Sequence, residues 1–403
     1  MFQTFKPHEY VMIDIASNYG HDKETWDFRI NWFKDNEYQL ISLIPTAEKP
    51  AMFFAGIQAW AAYKEGKPSG YPISLDATAS GLQLLACLRS DRKAAELCNV
   101  VDTGVREDAY TKVYKVMLEK VGDSAKISRS DIKSAIMTGL YGSEAVPEAV
   151  FGEGTELLKT FYATMHELAP GAWELNQAFL AMWDANALSY NWILPDNFHV
   201  QIKVIGTVKE NVHFRNAVFE ITQRKNMTQK KGRSIGANVT HSVDSYVVRE
   251  LTRRCNYDPE VIMQIKTTLC AAENQVVDMD CPYAQMVSTL WEHYEKTGML
   301  SARVFDYLNE ENVCLVTDRS VVWRLIYSLP RKPFTVMAIH DCYRVLPAYG
   351  NDLRQQYNNL LSEVAQGTLL NNLLTQLLGR PFDAGKLNPE LWKEVKQTNY
   401  ALS

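Results

Sequence analysis

Two aspartates occupy positions from which a carboxylate can be held rigidly. Asp76 ends a short run of alternating apolar residues that predicts a strand, and small residues lead from it into a helical pattern. Asp341 follows His340 in a two-residue turn between two further strand-like runs. Carboxylates at strand ends suit Mg²⁺, which prefers oxygen ligands. Each aspartate also has an ordinary interpretation, because Asp76 can cap the helix that follows and Asp341 can be a plain turn residue.

A second group of residues suits phosphate chemistry. Ser128 and Asp131 have the spacing of a capping box, which predicts the start of a helix. The positions that follow at intervals of four are Arg129, Lys133, Met137 and Tyr141. Each interval drifts by about 40°, so the four side chains share one face within about 120°. Cations hold triphosphate oxygens and an aromatic ring stacks on a base, although a solvated amphipathic helix explains the same pattern.

Together these segments indicate more than each does alone. Two-metal phosphoryl transfer needs carboxylates that bridge ions about 4 Å apart and a cationic clamp on the leaving pyrophosphate. Asp76 and Asp341 would supply the carboxylates, and the helix that begins near Arg129 would supply the clamp. The sequence therefore predicts a nucleotidyl-transfer site that binds two Mg²⁺ ions.

The apolar pattern predicts a helix-rich chain with few strands to position these residues. Helical periodicity dominates 1–70, 78–98, 103–190, 234–328 and the C-terminal region, and strands are predicted at 71–76, 334–339 and 342–346. Residues 192–222 alternate in an extended style and predict a β-hairpin. The expected fold class is α/β (α+β), with a small antiparallel sheet that carries both aspartates.

Composition limits the classes of protein that the chain can represent. Its 403 residues allow two or three domains, and no stretch approaches the roughly 20 apolar residues of a membrane helix. The seven cysteines are scattered, which argues against a disulfide framework or a zinc site. Net charge is −5, so nucleic-acid binding would need a local basic surface. The best candidate is the cluster Arg224, Lys225, Lys230, Lys231 and Arg233, which can equally be a solvated loop.

Six segments, in order, resemble those of the single-subunit RNA polymerases of bacteriophages and mitochondria. They are Tyr19-Gly20-His21-Asp22-Lys23; Asp76-x-x-x-Ser80-Gly81-x-Gln83; Arg129-x-x-x-Lys133-x-x-x-Met137-x-x-x-Tyr141-Gly142-Ser143; Trp192-x-x-Pro195-Asp196; Asn238-x-x-His241-Ser242-x-Asp244; and His340-Asp341. The matches span most of residues 19–346. The resemblance implies a right-hand polymerase with palm and fingers that synthesises RNA from ribonucleoside triphosphates on a DNA template.

The resemblance also implies roles for individual residues. Asp76 and Asp341 would be catalytic and would hold both Mg²⁺ ions, with the Ala77 carbonyl as a further ligand and His340 orienting Asp341. Lys133 would face the triphosphate and is a candidate proton donor to pyrophosphate. The other residues implied at the nucleotide are Arg129, Lys23, Gly81, Gly142 and Tyr141, the last of which would take part in sugar selection. Those implied at the RNA and template are His241 and Asn238.

Two alternatives come from other classes of protein. A DNA polymerase of the related repair and replication family shares the order of motifs, but its first motif carries a glutamate that blocks a ribose 2′-hydroxyl. Gly81 stands at that position and leaves room for the hydroxyl, which favours ribonucleotides. The other alternative is a non-catalytic nucleic-acid-binding relative, against which the retention of Asp76, Asp341 and Lys133 argues.

The resemblance divides the chain into four parts. Residues 1–100 would form the first part of the palm, 101–260 the fingers with the hairpin 192–222, 261–330 a helical insertion, and 331–403 the rest of the palm with a C-terminal foot. The turn reads His-Asp-Cys rather than the common His-Asp-Ser, so Cys342 would pack as a small residue.

The position of the first motif leads to a further expectation. Family members place a promoter-binding domain, the thumb and part of the palm before the segment that contains Lys23, which here stands near the start. We therefore expect a split enzyme in which a second polypeptide supplies the missing half, with no membrane partner. No targeting segment is present, so the expected location is the cytoplasm, in a phage-infected bacterium.

Overall fold

The computed structural model describes residues 2–122, 127–271 and 279–403, which are rich in helix, as predicted. The helices are α1 (Pro7–Ala16), α2 (Trp26–Asn36), α3 (Leu40–Leu43), α4 (Pro50–Lys64), α5 (Ser80–Arg89), α6 (Arg92–Leu97), α7 (Ala109–Val121), α8 (Arg129–Gly139), α9 (Ala145–Phe151), α10 (Glu156–Leu168), α11 (Pro170–Ala181), α12 (Ser234–Cys255), α13 (Pro259–Ala271), α14 (Ala284–Thr297), α15 (Arg319–Ser328), α16 (Gly350–Gln366), α17 (Leu369–Leu378) and α18 (Leu391–Val395). The strands are β1 (Ile73–Asp76), β2 (Ser189–Ile193), β3 (His199–Lys203), β4 (Ile205–Phe214), β5 (Ala217–Asn226), β6 (Met337–Ile339) and β7 (Cys342–Val345).

Side-chain caps fix the start of many of these helices. A hydroxyl or carboxylate oxygen accepts a backbone N–H of the first turn, which satisfies one of the donors that a helix leaves without a partner. The capping residues are Thr25, Asp91, Asp108, Ser128, Thr155 and Asp318. The capping box at Ser128 forms with Asp131, so the predicted start of the cationic helix is confirmed.

The small antiparallel sheet has the strand order β1-β7-β6. Strand β1 pairs with β7 so that Leu75 lies opposite Tyr343 and Asp76 lies opposite Cys342. Because side chains alternate across a strand, Leu75 and Tyr343 face the core while Asp76 and Cys342 face the other side. The sheet therefore joins the two aspartate segments, which are separated by about 260 residues in the chain, on one face.

The single hairpin predicted at 192–222 is wrong, because two hairpins occupy this region. Strand β2 pairs with β3, and β4 pairs with β5 over ten residues each. Val204 separates them: it is buried, and its N–H donates to the Leu188 carbonyl at 2.9 Å. The second turn is at Arg215, whose backbone is left-handed (φ 53°). Alternation continues through both hairpins, so the sequence pattern did not reveal the boundary.

Three other predicted boundaries shift for identifiable reasons. The helix predicted at 78–98 is two helices, because Ser90 is left-handed (φ 52°) and ends α5. The strand predicted at 334–339 pairs only from Met337 onward; Phe334 is apolar because it packs in the core. Helix α8 ends at Gly139, so Tyr141 lies in the turn after the helix rather than on its face.

Two hydrophobic cores lie within the described ranges. The larger one includes α1, α5, α12, α16 and the inner face of the three-stranded sheet. The smaller one is built between Ile262 and Ile326 from α13, α14, α15 and the 3₁₀ turns between them. We call the segment around this second core, residues 256–330, the helical module. The domain boundaries given above remain predictions.

Buried carboxylates fasten α12 both to the loop between β2 and β3 and to the helical module. Asp196 is 1% exposed and its carboxylate accepts from Arg249 at 2.7 Å and from Arg253 at 2.9 Å. Glu250 is fully buried and accepts from Ser301 Oγ at 2.7 Å in the module. Buried carboxylates of this kind are tolerated only when their charge is paired, so this contact is specific.

All seven cysteines are free thiols, as their scattered positions predict. The burial of Cys87 and Cys98 raises the pKa of each thiol, which keeps both protonated. Across the residues that the structure describes, no helix has the length and apolar character needed to cross a bilayer.

Candidate active site

The two predicted metal-binding aspartates meet at one end of the three-stranded sheet. The N–H of Ala77 donates to the carbonyl of Asp341 at 3.0 Å, directly beyond the β1–β7 pairing. Residues 401–403 continue the sheet on the far side of β1, with the Ser403 N–H donating to the Asp76 carbonyl at 2.9 Å. Asp76 is thus held between two neighbouring segments, which limits its backbone freedom.

Burial and like charge raise the pKa of Asp341. Desolvation of its half-buried carboxyl is the main cause, and the negative charge of Asp76 adds to it. Asp244 on α12 shows the same effect more strongly, since burial and then the charge of Asp341 raise its pKa to about 6. Three carboxyl groups from β1, α12 and the β6–β7 turn therefore share one negative region. Asp244 was not among the predicted site residues, although it ends the quoted Asn-x-x-His-Ser-x-Asp segment.

The donor set at Asp76 and Asp341 fits divalent cations. Burial first and the charge of Asp76 second raise the Asp341 pKa, and bound cations would offset both effects by stabilising the ionised carboxylates. In the described ranges, no cluster of three or more His, Cys, Asp or Glu side chains has metal-binding geometry. Carboxylate oxygens suit Mg²⁺, which also keeps water and binds substrate phosphates.

Tyr141 and Gly81 are in direct contact. A Cβ at Gly81 would overlap the Tyr141 hydroxyl and would lie 2.9 Å from its Cζ. The space that the glycine leaves is therefore filled by the phenol. Gly142 follows with a φ of 83°, and a Cβ there would meet Leu180 at 2.9 Å. Both the backbone conformation and the lack of space therefore disfavour a side chain at this position.

Helix α12 brings His241 to the same place. The ring of His241 lies 4.8 Å from the ring of Tyr141, and Asp244 lies one turn further along the helix. The helix is tied to the first hairpin, because the Trp192 indole N–H donates to Ser242 Oγ at 3.0 Å. Asn238 is half-buried and its amide donates to the Ser234 carbonyl at 2.7 Å, one turn from His241.

The two cations of α8 lie over one aromatic ring. The guanidinium carbon of Arg129 and the Lys133 Nζ are each 5.7 Å from the centre of the Tyr110 ring. Arg129 Nε also donates to Asp108 at 3.0 Å and to Thr111 Oγ1 at 2.8 Å. The Asp108 charge raises the pKa of Tyr110 after burial does, and Asp341 contributes as well, which places Tyr110 near the aspartates. Lys133 is exposed.

Two predicted residues are not tied to this group by a hydrogen bond. His340 is exposed with a left-handed backbone (φ 57°), and no hydrogen bond links its ring to Asp341 in the part of the chain that is described. Lys23 is exposed next to Asp22, whose carbonyl accepts from the buried Arg29 at 2.6 Å.

Arg106 lies outside every motif quoted from the sequence. This arginine is largely buried, and its Nε donates to Ser403 Oγ at 3.0 Å. Burial lowers its pKa, while the nearby carboxylates Asp22, Asp108 and Asp76 raise it. Arg106 thus lies among the segments that carry Lys23, Asp108 (the partner of Arg129) and Asp76. Its position in an irregular segment between α6 and α7 gave no periodic signal.

Comparison with known proteins finds similarity to RNA polymerases. The sequence profile of a family described as DNA-dependent RNA polymerase matches residues 6–150. A DNA-directed RNA polymerase of Pseudomonas phage phiKMV is 24% identical over an alignment of 300 positions, which covers 59% of this chain and 36% of the relative. Over these residues the chain is similar to DNA-directed RNA polymerases of the phage and mitochondrial type.

Two fungal relatives extend the comparison. A probable DNA-directed RNA polymerase of Gelasinospora is 23% identical and covers 68% of this chain and 36% of the relative. One of Neurospora crassa is 26% identical over 154 residues, or 33% of this chain and 17% of the relative. The chain thus spans about a third of the length of the phage and Gelasinospora polymerases. The family profile includes Asp76 and Tyr141. It ends before His241 and Asp341, which lie near those residues only in the folded chain.

Proposed function

We propose that this chain is the catalytic part of a DNA-directed RNA polymerase. The reaction is attack of an RNA 3′-hydroxyl on the α-phosphate of a ribonucleoside triphosphate selected by a DNA template. The observation that carries the proposal is the meeting of Asp76 and Asp341 beside the Gly81–Tyr141–His241 contact. A strained or buried cluster of this kind, in which carboxyl pKa values rise, is typical of a functional site.

The carboxylates of Asp76 and Asp341, with the Ala77 carbonyl, would hold two Mg²⁺ ions that stabilise the charge developing on the reacting phosphate. The side chains of the protein itself would carry out the other parts of the reaction. Lys133, exposed at 5.7 Å from the Tyr110 ring, is free to reach the triphosphate. There it neutralises phosphate oxygens and is in position to supply a proton to pyrophosphate.

Arg129 and Tyr141 bind the nucleotide in different ways. Asp108 and Thr111 orient the Arg129 side chain, so its remaining N–H groups meet a phosphate without a large loss of rotamer entropy. Tyr141 presents its ring beside His241, and its hydroxyl fills the space at Gly81. A ribose 2′-hydroxyl that approaches Gly81 would meet this phenol rather than a carboxylate, which is compatible with a ribonucleotide.

The experiment that tests the proposal is primer extension on an RNA–DNA scaffold with Mg²⁺. Ribonucleotides and deoxyribonucleotides are offered separately to the parent, to Asp76→Asn and to Asp341→Asn. We expect extension with ribonucleotides, and a loss of about 10³-fold or more in either variant, because metal charge stabilisation supplies several kcal/mol. The matched control is Asp35→Asn, which removes an exposed carboxylate of α2 and should keep parental activity.

Extension by Asp76→Asn or Asp341→Asn at the parental rate would remove that residue from the metal site. Extension with deoxyribonucleotides alone would assign the chain to DNA synthesis instead. We further propose that a second polypeptide supplies the parts of the polymerase that the remaining length of the relatives encodes. The phage relative makes the cytoplasm of an infected bacterium the compartment that we propose.

A further inference from the structure

The guanidinium of Arg106 lies beside Asp76 with most of its donors unused. Its Nε donates to Ser403 Oγ at 3.0 Å, and the Ser403 N–H donates to the Asp76 carbonyl at 2.9 Å. Among the described residues the guanidinium makes no second hydrogen bond, and no Asp or Glu carboxylate lies within 4 Å of it. Arginine carries several N–H donors in a planar fork, so most of them remain for a ligand.

A second arginine in this region is buried without an acidic partner. Arg29 on α2 is 1% exposed, and its guanidinium donates to neutral oxygens: the Glu24 carbonyl at 3.0 Å, the Asp22 carbonyl at 2.6 Å and Ser17 Oγ at 3.2 Å. Burial and then the positive charge of Arg106 lower its pKa to about 9, so the two cations repel each other. Because an unpaired buried cation is costly, an anion bound nearby would stabilise both.

The carboxylates around Arg106 do not neutralise it closely. Burial lowers the Arg106 pKa, and the charges of Asp22, Asp108 and Asp76 raise it, so all three lie in its neighbourhood. Asp108 accepts from Arg129 Nε at 3.0 Å, and Asp76 is the proposed metal ligand. Within the described ranges none of the three forms an ion pair with Arg106. The region therefore keeps positive charge that faces a ligand.

The backbone next to Arg106 is held in place before any ligand binds. Asn99 is 3% exposed, and its side chain bonds both backbone groups of Glu107: Oδ1 accepts the N–H at 2.7 Å and Nδ2 donates to the carbonyl at 2.9 Å. Asp108 then caps α7. A fixed backbone lowers the entropy that is lost when a side chain binds a ligand.

We propose that Arg106 binds the β- and γ-phosphates of the incoming ribonucleoside triphosphate and holds them as pyrophosphate leaves. The planar fork of a guanidinium donates two parallel N–H groups to phosphate oxygens. Asp108, two residues away, orients Arg129, so the two arginines approach the same phosphate chain from different segments. The inference rests on the proposed function for the identity of the substrate, whereas the anion site does not depend on catalysis.

The charge of the region favours the end of a triphosphate over a phosphate within a strand. A terminal phosphate carries a charge of about −1.5 to −2 at neutral pH, whereas a phosphate within a polynucleotide carries a single charge. Arg106 and Arg29 together supply surplus positive charge without an ion-paired carboxylate in the described part of the chain. The more highly charged group gains more from two neighbouring cations.

The test is isothermal titration calorimetry of the full chain with sodium pyrophosphate in the presence of a metal chelator. We expect Arg106→Ala to weaken pyrophosphate binding about 10- to 100-fold, the usual effect of losing hydrogen bonds between charged groups. Arg106→Lys should recover part of the affinity, because it keeps the charge but not the planar fork. The matched control is Arg380→Ala, which removes an exposed arginine beyond the end of α17 and should bind like the parent. Urea unfolding should give both Arg106 variants a folded state.

Primer extension tests the same residue during synthesis. In the complex isolated from its native host, Arg106→Ala should raise the KM for ribonucleoside triphosphates about tenfold. It should raise the pyrophosphate concentration that halves the rate by a similar factor, while the Kd of the RNA–DNA scaffold stays parental. Asp76→Asn, which should abolish extension, should still bind pyrophosphate without metal. An inactive parent whose pyrophosphate affinity depends on Arg106 would therefore refute the proposed activity and keep the anion site.

Four results would overturn the inference. The first is pyrophosphate binding by Arg106→Ala at the parental affinity, and the second is a parent chain that binds no pyrophosphate. The third is an equal loss of affinity in Arg106→Ala and Arg380→Ala, which would leave only general charge attraction. The fourth is weaker scaffold binding by Arg106→Ala with unchanged pyrophosphate binding, which would assign the arginine to the nucleic-acid backbone.

Discussion

Gly81 and Tyr141 belong to different segments but depend on each other for space. A Cβ at position 81 would overlap the Tyr141 hydroxyl, so we expect Gly81→Ala to destabilise the fold by about 1–3 kcal/mol, the usual cost of overpacking. Urea unfolding measures this. The control is Gly70→Ala, because no heavy atom lies within 4 Å of a Cβ there. In the double variant Gly81→Ala/Tyr141→Phe the overlapping hydroxyl is absent, so part of the loss should be recovered. If the loss of stability in the double variant equalled the sum of the losses in the two single variants, the contact would be contradicted.

The same tyrosine leads to a prediction about substrate choice. We expect Tyr141→Phe to keep extension activity and to accept deoxyribonucleotides more readily, because the hydroxyl is the polar group at the Gly81 space. Competition between ribo- and deoxyribonucleotides on one scaffold measures the ratio of kcat/KM values. His241, whose ring is 4.8 Å away, should tolerate the change. An unchanged ratio would remove the hydroxyl from sugar selection.

At the scale of elements, Asp14 ties α1 to β1, the strand that carries Asp76. Its carboxylate accepts from the Ser74 N–H at 2.8 Å and from the Asn18 amide at 2.9 Å. The Tyr71 hydroxyl also donates to it at 2.5 Å. Burial is the main cause that raises the Asp14 pKa to about 6. The folded protein therefore binds a proton that the unfolded chain releases near its ordinary pKa.

The raised Asp14 pKa gives a pH dependence of defined sign. Below the pKa of Asp14 in the unfolded chain, the carboxyl is protonated in both the folded and the unfolded state, so it does not lower the free energy of unfolding. As the pH rises through the folded-state pKa of about 6, the buried carboxyl ionises and its full destabilising effect on the folded state is reached. From about pH 5 to about pH 8 the parent should lose roughly 1 kcal/mol more stability than Asp14→Asn, which cannot titrate. Urea midpoints across this range test it, and parallel curves for the two proteins would contradict it.

The ion network on α12 holds the loop between β2 and β3 through Asp196. Removal of this buried carboxylate in Asp196→Ala leaves Arg249 and Arg253 without their partner, which should cost about 3–5 kcal/mol. Those arginines lower the Asp196 pKa after burial raises it, so the contribution is present at neutral pH and is lost only in acid. The matched control is Glu210→Gln in an exposed pair with Lys225, worth less than about 1 kcal/mol. Equal losses in both would contradict the network.

At the scale of the whole molecule, several exposed apolar side chains would suit an interface with a partner protein. Tyr38, Ile41 and Phe54 lie on the first helices at 100%, 73% and 46% exposure, and Met337 and Ile339 lie on the edge strand β6 at 46% and 52%. Edge strands and apolar surfaces of this kind are usually covered.

We therefore expect the tagged chain, isolated from its native host, to bring a stoichiometric second polypeptide with it. Sedimentation should give a complex larger than the 45.9 kDa chain. Stable heteromeric interfaces bury at least about 1,200 Å², so the complex should survive purification. A monomer that extends RNA processively by itself would contradict the expectation of a split enzyme.

The sequence alone predicted a chemistry and gave the order of the segments that would carry it. It predicted the Asp76 strand, the capped helix at Ser128 and the His340 turn, because a cap, an alternating run and a two-residue turn are local signals. It also predicted the family, because the motifs stand in an order that composition cannot mimic. The Mg²⁺ ligands and the roles at the nucleotide remain predictions.

Only the tertiary structure decided which distant groups share one space. The β1–β7 register brought Asp76 beside Asp341, and α12 added Asp244 and the His241 ring. Arg106 joined the site from an irregular segment. The division at Val204 into two hairpins was equally hidden, because alternation is the same on both sides of it. Local patterns encode which face a residue takes, whereas the partner on that face depends on contacts between residues far apart in sequence.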